Sequence, residues 1–184
     1  MENLDRKNIR KHRVDDIEKL PENVRVELID GQLYNLAVPS VTHQEISGFL
    51  FNKIYNYIEN NDGKCRVFAA PFAVYLDEEN YLEPDISVIC DRKKLDSKGC
   101  HGAPDWIIEI ISQSKASIDD ITKLNKYHEA GVKLYWIVNP MQKKVTVWYF
   151  ERYYYVEYAF GEDIPVDIYR DFSIALPDRI GWAE

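Results

Sequence analysis

The sequence contains little cysteine and no arrangement of cysteines that would define a structural framework. Its three cysteines, Cys65, Cys90 and Cys100, are an odd number without CxxC spacing. This pattern is typical of free thiols in a reducing compartment and argues against a disulfide framework or a zinc site. The sequence also lacks a signal-peptide pattern and any apolar run near the ~18–20 residues of a membrane span. We therefore expect a soluble, cytoplasmic protein.

Several common catalytic patterns are missing as well. The sequence contains neither a glycine-rich phosphate loop nor a GxSxG nucleophile motif. The histidines His43, His101 and His128 do not have the mutual spacing of metal ligands, and we assign them no role. What remains for chemistry is a small set of carboxylates and lysines in the middle of the chain.

The length and composition indicate one domain with an uneven distribution of charge. The 184 residues are enough for a single core, so we expect one domain over residues 1–184, with a flexible, basic arm at residues 1–13. The net charge is −8, yet residues 91–144 hold ten bases against seven acids. The acidic total therefore does not exclude a phosphate backbone as a partner. The basic loop at residues 91–102 is expected either to face such a substrate or to be simply solvated.

The first half of the chain predicts a hairpin and a long helix. Apolar residues alternate on both sides of an Asp-Gly pair, which predicts an N-terminal hairpin over residues 24–36. Glu27 lies in its first strand, where it faces solvent or supports a site. A 3/4 apolar spacing predicts a helix over residues 40–60, with Thr42 and Glu45 as its capping box.

The second half predicts strands around a parallel crossover. Residues 65–90 predict a second hairpin, and the apolar run at 106–111 predicts a central strand buried on both faces. A helix at about 118–130 and a strand at 133–138 follow, which indicates a parallel crossover. A C-terminal hairpin is expected over residues 143–160. Together these elements predict an α/β fold on a mixed β-sheet flanked by helices.

Two of the predicted strands each carry one acid, and these acids need a physical reason. Asp85 and Glu109 are 24 residues apart, and each lies in an otherwise apolar strand. An unpaired buried carboxylate is costly, and a shared divalent cation would remove that cost. Two carboxylates and a backbone carbonyl are hard oxygen ligands that suit Mg²⁺ or Mn²⁺. Two structural alternatives stay open: Asp85 after Pro84 caps a local turn, and Glu109 forms a buried salt bridge with Lys123.

Several stretches from about residue 24 to residue 150 occur together in a recognisable order. They are VELIDGQLY, PS-x-x-HQ-x-I, EPDISVICD, GAPDWIIEIISQS, D-x-x-x-K-x-x-x-Y and GVKLYWIVNP. In order and spacing they resemble the Uma-type family of predicted bacterial endonucleases, within the PD-(D/E)XK nuclease superfamily. The resemblance implies a restriction-endonuclease-like fold, to which this chain adds N- and C-terminal β-hairpins.

The resemblance also implies which residues form the site. Asp85 and Glu109 would be catalytic metal ligands, and the carbonyl of Ile110 would be a third ligand. The chain departs from the superfamily pattern at Ile111, which stands where the lysine of the EXK motif is expected and carries no charge. Lys123, on the following helix, would be the displaced catalytic lysine; otherwise it is a solvated helix residue. Gln113 is a weaker candidate for the same position.

These residues predict an enzyme that acts on nucleic acid. We expect a metal-dependent endonuclease that uses Mg²⁺ or Mn²⁺ to hydrolyse phosphodiester bonds, with DNA as the expected substrate. The alternative is a catalytically silent module on a nuclease fold that binds nucleic acid or protein, which Ile111 and the net negative charge favour. The tyrosine-rich hairpin at residues 145–160 suggests a homodimer surface.

Overall fold

A six-stranded and a five-stranded β-sheet, with helices packed against them, form most of the part of the chain that the structure describes. The computed structural model describes residues 11–21, 24–112 and 118–180. In chain order these residues form α1 (Val14–Ile17), β1 (Val26–Ile29), β2 (Gln32–Asn35), α2 (Val41–Asn60), β3 (Arg66–Ala69), β4 (Val74–Asp77), β5 (Asn80–Leu82), β6 (Ile86–Ile89), β7 (Cys100–His101), β8 (Trp106–Ile110), α3 (Ile118–Ala130), β9 (Leu134–Asn139), β10 (Lys144–Tyr149), β11 (Tyr154–Ala159), β12 (Ile164–Pro165) and β13 (Ser173–Ile174).

The larger sheet carries the parallel crossover that the sequence predicts. Among the described residues it has six strands in the order β11-β10-β9-β8-β6-β3. Strands β8 and β9 are parallel and are joined through α3, whereas the other neighbouring pairs are antiparallel. A smaller sheet has the order β2-β1-β5-β4-β7, and β12 pairs with β13. The α/β fold on a mixed sheet, with hairpins added at both ends, is therefore confirmed.

Strand β8 is the centre of the larger sheet and is covered on both faces. Successive side chains of a strand point to opposite faces. Trp106, Ile108 and Ile110 pack with the apolar face of α2. Ile107 packs on the other side with residues of α3 and of the smaller sheet. By the same alternation, Glu109 faces α3 and the smaller sheet, so its carboxylate lies in an enclosed space.

The N-terminal hairpin has the turn that its Asp-Gly pair predicts. Strands β1 and β2 pair antiparallel, with Ile29 opposite Gln32. The two residues between them, Asp30 and Gly31, both have positive φ, at 51° and 77°. This is the backbone of a two-residue hairpin whose twist matches that of its strands.

The second predicted hairpin is divided between the two sheets. Strands β3 and β6 pair in the larger sheet, whereas β4 and β5 pair in the smaller one. Pro71 and Pro84 lie in the two breaks and have no N–H to donate to a strand ladder. The segment between β3 and β4 and the segment between β5 and β6 therefore pass from one sheet to the other beside each other. Asp85 lies at this crossing, directly before β6.

The helix α2 begins with a different cap from the one predicted. Its N-cap is Ser40, whose hydroxyl oxygen accepts a hydrogen bond from the backbone N–H of His43 at 3.2 Å. The expected capping box at Thr42 and Glu45 is wrong, because Thr42 already lies inside the helix and is buried. A single serine satisfies the helix start, since its side chain reaches the third helical residue.

The cysteine prediction is also wrong for two of the three cysteines. Cys65 and Cys90 form a disulfide, and Cys100 is a buried free thiol. The register of β3 and β6 pairs Arg66 with Ile89, which places the two cysteines opposite each other just beyond that pair. Sequence spacing does not reveal the bond, because the partners are brought together by strand pairing across 25 residues.

The ends of the described chain add two observations. Of the basic N-terminal arm, Lys11 and Arg13 form ion pairs with Glu79 and Glu78, while residues 1–10 lie outside the described residues. Within the described ranges, none of the helices has the length and apolar character required to cross a membrane.

Candidate active site

Asp85 and Glu109 are brought side by side by the pairing of β6 with β8. These strands are antiparallel, with Ile86 opposite Ile108. One step further along the same register, Asp85 lies opposite Glu109. Both residues line one cavity of about 150 Å³ at this end of the sheet. The two acids that the sequence singles out are therefore neighbours in space, as the prediction required.

The carboxylate of Asp85 is held by two donors. Its Oδ2 accepts a hydrogen bond from the backbone N–H of Ile110 at 2.7 Å, and His43 Nε2 lies 3.0 Å from the same oxygen. His43 belongs to the first turn of α2. Burial alone would lower the pKa of His43, but the hydrogen bond to Asp85 and the charges of Asp85 and Glu109 outweigh burial and raise it.

The carboxylate of Glu109 is also held by two donors, both from α3. Its Oε1 accepts from the hydroxyl of Tyr127 at 2.7 Å and from Lys123 Nζ at 3.2 Å. Burial raises the pKa of Glu109 to about 7, and the charges of Asp85 and Glu27 act in the same direction against the opposing effect of Lys123. Burial also raises the pKa of Tyr127 well above its usual range, so its hydroxyl remains a donor.

Lys123 lies between two carboxylates and away from solvent. Its side chain is only 11% exposed, and its Nζ is 2.9 Å from the fully buried carboxylate of Glu27. Glu27 in turn accepts a hydrogen bond from the backbone N–H of Glu83 at 3.1 Å. The alternative that Glu27 faces solvent is therefore wrong, and so is the alternative that Lys123 is a solvated helix residue. The salt bridge between Glu109 and Lys123, the structural alternative for Glu109, is present.

The charged residues described above line the inner part of the cavity, and less buried residues line its opening. Arg25 contributes a partly exposed guanidinium that is paired with Glu83. The other residues that line the cavity are Leu36, Ala37, Val38, Pro39, Gln44, Ser47, Ala70, Ile111 and Ser112. Four carboxylates and two permanent cations line one small space, so with Glu109 ionised the cavity carries negative charge that would attract a cation.

The basic loop does not belong to this site. Asp85 lies before β6 and Glu109 near the end of β8, whereas residues 91–102 follow the far end of β6 and precede β8. Lys94 donates to the carbonyl of Ala103, and Lys98 pairs with Glu18. The expectation that this loop faces a substrate at the two acids is therefore not supported by its position.

Two residues of the site are not predicted by the sequence. Histidine spacing alone gives His43 no role, yet its ring contacts Asp85. The PS-x-x-HQ stretch, which matches the family pattern, is the available signal for it. Tyr127 ends the D-x-x-x-K-x-x-x-Y stretch of the family pattern, but that match does not show its hydroxyl contact with Glu109. Gln113, the weaker candidate for the displaced lysine, lies outside the described residues.

The donor set fits a hard divalent cation that keeps several waters. Within the described ranges, no group of three or more histidine, cysteine or acidic side chains is arranged to hold a metal ion. The ligands would be two carboxylates and the carbonyl of Ile110, a small set typical of magnesium sites. The described hydrogen bonds go to Oδ2 of Asp85 and Oε1 of Glu109. Oδ1 and Oε2 therefore have no hydrogen bond to any described residue.

Comparisons with known proteins agree with the fold described above. A solved structure from Anabaena variabilis ATCC 29413, described as "a putative nuclease belonging to DUF820", has a TM-score of 0.76 to this chain at 21% identity. The similarity covers 91% of this chain and 97% of that one, and it shows the fold.

Sequence comparison gives a relative and a family. An uncharacterised protein from Synechocystis sp. (strain PCC 6803) is 26% identical over 125 residues, which span 67% of this chain and 65% of that protein. The model of the Uma2 family, described as "Putative restriction endonuclease", matches residues 14–177. The chain therefore belongs to the Uma2 family and has a restriction-endonuclease-like fold.

Proposed function

We propose that this protein is a divalent-metal-dependent endonuclease that hydrolyses phosphodiester bonds in nucleic acid, with DNA as the expected substrate. The observation that carries the proposal is the meeting of three elements: Asp85 before β6, Glu109 on β8, and Lys123 on α3 at 3.2 Å from Glu109. The family and the fold support it, because both are described as nuclease-like.

Each residue of the site has a proposed role. Asp85 and Glu109, through the oxygens to which no described residue donates a hydrogen bond, and the carbonyl of Ile110 would hold Mg²⁺ or Mn²⁺. When bound, such a cation lowers the pKa of a coordinated water and stabilises charge on a phosphoryl group. Tyr127 fixes the orientation of Glu109 through its hydroxyl.

Lys123 would stabilise the negative charge that develops on the attacking water or on a phosphate oxygen. Ile111 cannot do this, since its side chain has no charge. Lys123 supplies an ammonium at the same place from a neighbouring helix. Glu27 keeps the ammonium in position when the charge of Glu109 is turned toward a cation, because its buried carboxylate lies 2.9 Å from Nζ.

Calorimetric titration with Mn²⁺ tests the metal site without any assumption about the substrate. We expect wild type to bind about one ion, and Asp85→Asn and Glu109→Gln to lose binding while they stay folded. Matched controls are Asp163→Asn and Glu59→Gln, because both acids are exposed and far along the chain from the site. A wild type that binds no Mn²⁺, alone or with a short duplex, would refute the proposal.

Cleavage assays then separate an enzyme from a binding module. Plasmid DNA, linear duplex, single-stranded DNA and RNA are incubated with Mn²⁺ or Mg²⁺, with Lys123→Ala as the inactive control. Cleavage that is lost in Lys123→Ala, while circular dichroism shows the variant to be folded, supports the endonuclease. Binding of nucleic acid without cleavage under any metal supports the silent module that Ile111 favours. The cytoplasmic location and the homodimer predicted from the sequence stay predictions, and light scattering tests the second.

A further inference from the structure

His43 is a buried polar residue of the site to which the proposed chemistry gives no role. The Ser40 cap fixes the first turn of α2, and this turn directs the imidazole of His43 toward Asp85. His43 is 9% exposed, and its Nε2 lies 3.0 Å from Asp85 Oδ2. Its other ring nitrogen, Nδ1, is buried and has no hydrogen-bond partner among the described residues. The contact with Asp85 is therefore the hydrogen bond by which this ring is held.

This contact restricts how Asp85 presents its oxygens. A carboxylate with one hydrogen bond can still rotate about its terminal bond, whereas two donors from different directions fix its plane. Here the donors are the N–H of Ile110, from the strand, and Nε2–H of His43, from the helix. Both engage Oδ2, so Oδ1 is the oxygen that remains for a ligand. Nε2–H donates in the cation and in the neutral tautomer that carries its proton there.

We propose that His43 is a positioning residue that holds Asp85 in the orientation needed to bind the divalent cation. The inference rests on the proposed function, because it assigns His43 a role toward the same metal site. Residues that hydrogen-bond to metal ligands set the orientation of those ligands, and their loss weakens metal binding. A histidine buried only for packing would give no such effect, since its ring nitrogens would be interchangeable with carbon.

The test compares two substitutions of His43, by glutamine and by asparagine, whose amide nitrogens lie at different distances from Cβ. In His43→Gln the amide nitrogen is separated from Cβ by the same number of bonds as Nε2 of histidine, so it can donate to Asp85. In His43→Asn the amide nitrogen corresponds to Nδ1 and stops short of Asp85. We expect the dissociation constant for Mn²⁺ to rise about 10–100-fold in His43→Asn. In His43→Gln we expect a rise of less than about threefold, because the hydrogen bond is restored.

The outcomes distinguish this inference from the function on which it rests. If wild type binds Mn²⁺ and His43→Asn binds it equally well, the role of His43 is refuted and the metal site stands. The same conclusion follows if both amides lose binding to the same extent, because the effect would then be structural. If wild type binds no Mn²⁺, the proposed function and this inference both fail. Circular dichroism establishes folding, and should His43→Asn not fold, His43→Leu replaces it with the same expected loss.

Discussion

Removal of the Lys123 ammonium is the sharpest test of the buried ion pairs that Lys123 forms with Glu27 and Glu109. In Lys123→Met the apolar stem is kept, but the cation between Glu27 and Glu109 is lost. Both carboxylates are enclosed, with side-chain exposures of 0% and 15%. Loss of one partner from a buried ion pair typically costs about 3–5 kcal/mol, since the other charge stays buried without compensation. Because small domains have stabilities of about 5–15 kcal/mol, this change would remove a large part of the total.

The matched control is an exposed pair with the same geometry. Lys144 Nζ is 3.2 Å from Glu157, the same distance as Lys123 from Glu109, but the two side chains are 47% and 51% exposed. Lys144→Met should therefore cost no more than about 1 kcal/mol, because water screens the pair. Urea unfolding of both variants at pH 8 measures the two free energies. Equal costs would contradict the argument, since distance alone would then decide the energy.

The pH dependence of Lys123→Met gives a second check on the same reasoning. Without the ammonium, the carboxyl pKa of Glu109 in the folded state would lie further above its unfolded value. The folded protein then binds more protons than the unfolded chain between those two pKa values, so stability rises as the pH falls through this window. The cost of the substitution should be largest at pH 8 and smaller at pH 5. A cost that does not change between these pH values would mean that no buried carboxylate is left uncompensated.

Three single contacts give further predictions. Tyr127→Phe removes the donor to Glu109 and should lower the free energy of unfolding by about 1–3 kcal/mol. The control is Tyr155→Phe at an exposed tyrosine, and equal losses of stability in the two variants would refute this prediction. The apparent Mn²⁺ affinity should fall about tenfold from pH 8 to pH 6, because Glu109, with its pKa raised to about 7, must lose its proton to bind; a flat calorimetric profile would count against it. Thiol titration of the denatured, unreduced protein should find one free thiol, Cys100, whereas three would exclude the disulfide between Cys65 and Cys90.

Local patterns predict the elements of this fold well. The Asp-Gly turn, the long helix, the buried strand β8 and the crossover through α3 are all determined by features within one or two neighbouring segments. The division of the second hairpin between two sheets is not predictable in this way, because it depends on how both segments cross at Pro71 and Pro84. The disulfide escapes prediction for the same reason. Strand pairing brings together residues that are far apart in the sequence, and such contacts cannot be predicted from the spacing of neighbouring residues.

The candidate site shows the same division between local and long-range information. Asp85 and Glu109 can be identified because a charge within an apolar strand is visible in the sequence. Glu27 looks like an ordinary outward-facing residue of a hairpin, since alternation alone cannot show that the other face is covered too. His43 lies in a first helical turn, where a polar residue needs no special reason. The sequence leaves a supporting role open for Glu27 and gives His43 only through the family pattern, and the contacts of both residues are visible only after the elements that carry them are placed.

Under the proposed function, the position of Lys123 would compensate for isoleucine in the EXK motif. A lysine at residue 111 would depend on strand β8 alone, because it would lie two residues beyond Glu109. Here the ammonium and the Tyr127 hydroxyl come from α3, where a spacing of four residues places both on one face. Both contact Oε1 of Glu109, so the hydrogen bonds to this one oxygen depend on how the whole helix α3 is packed. The charge of the site is therefore coupled to the packing of α3 between the two sheets. Substitutions that loosen α3 should weaken metal binding even where they touch none of the proposed ligands.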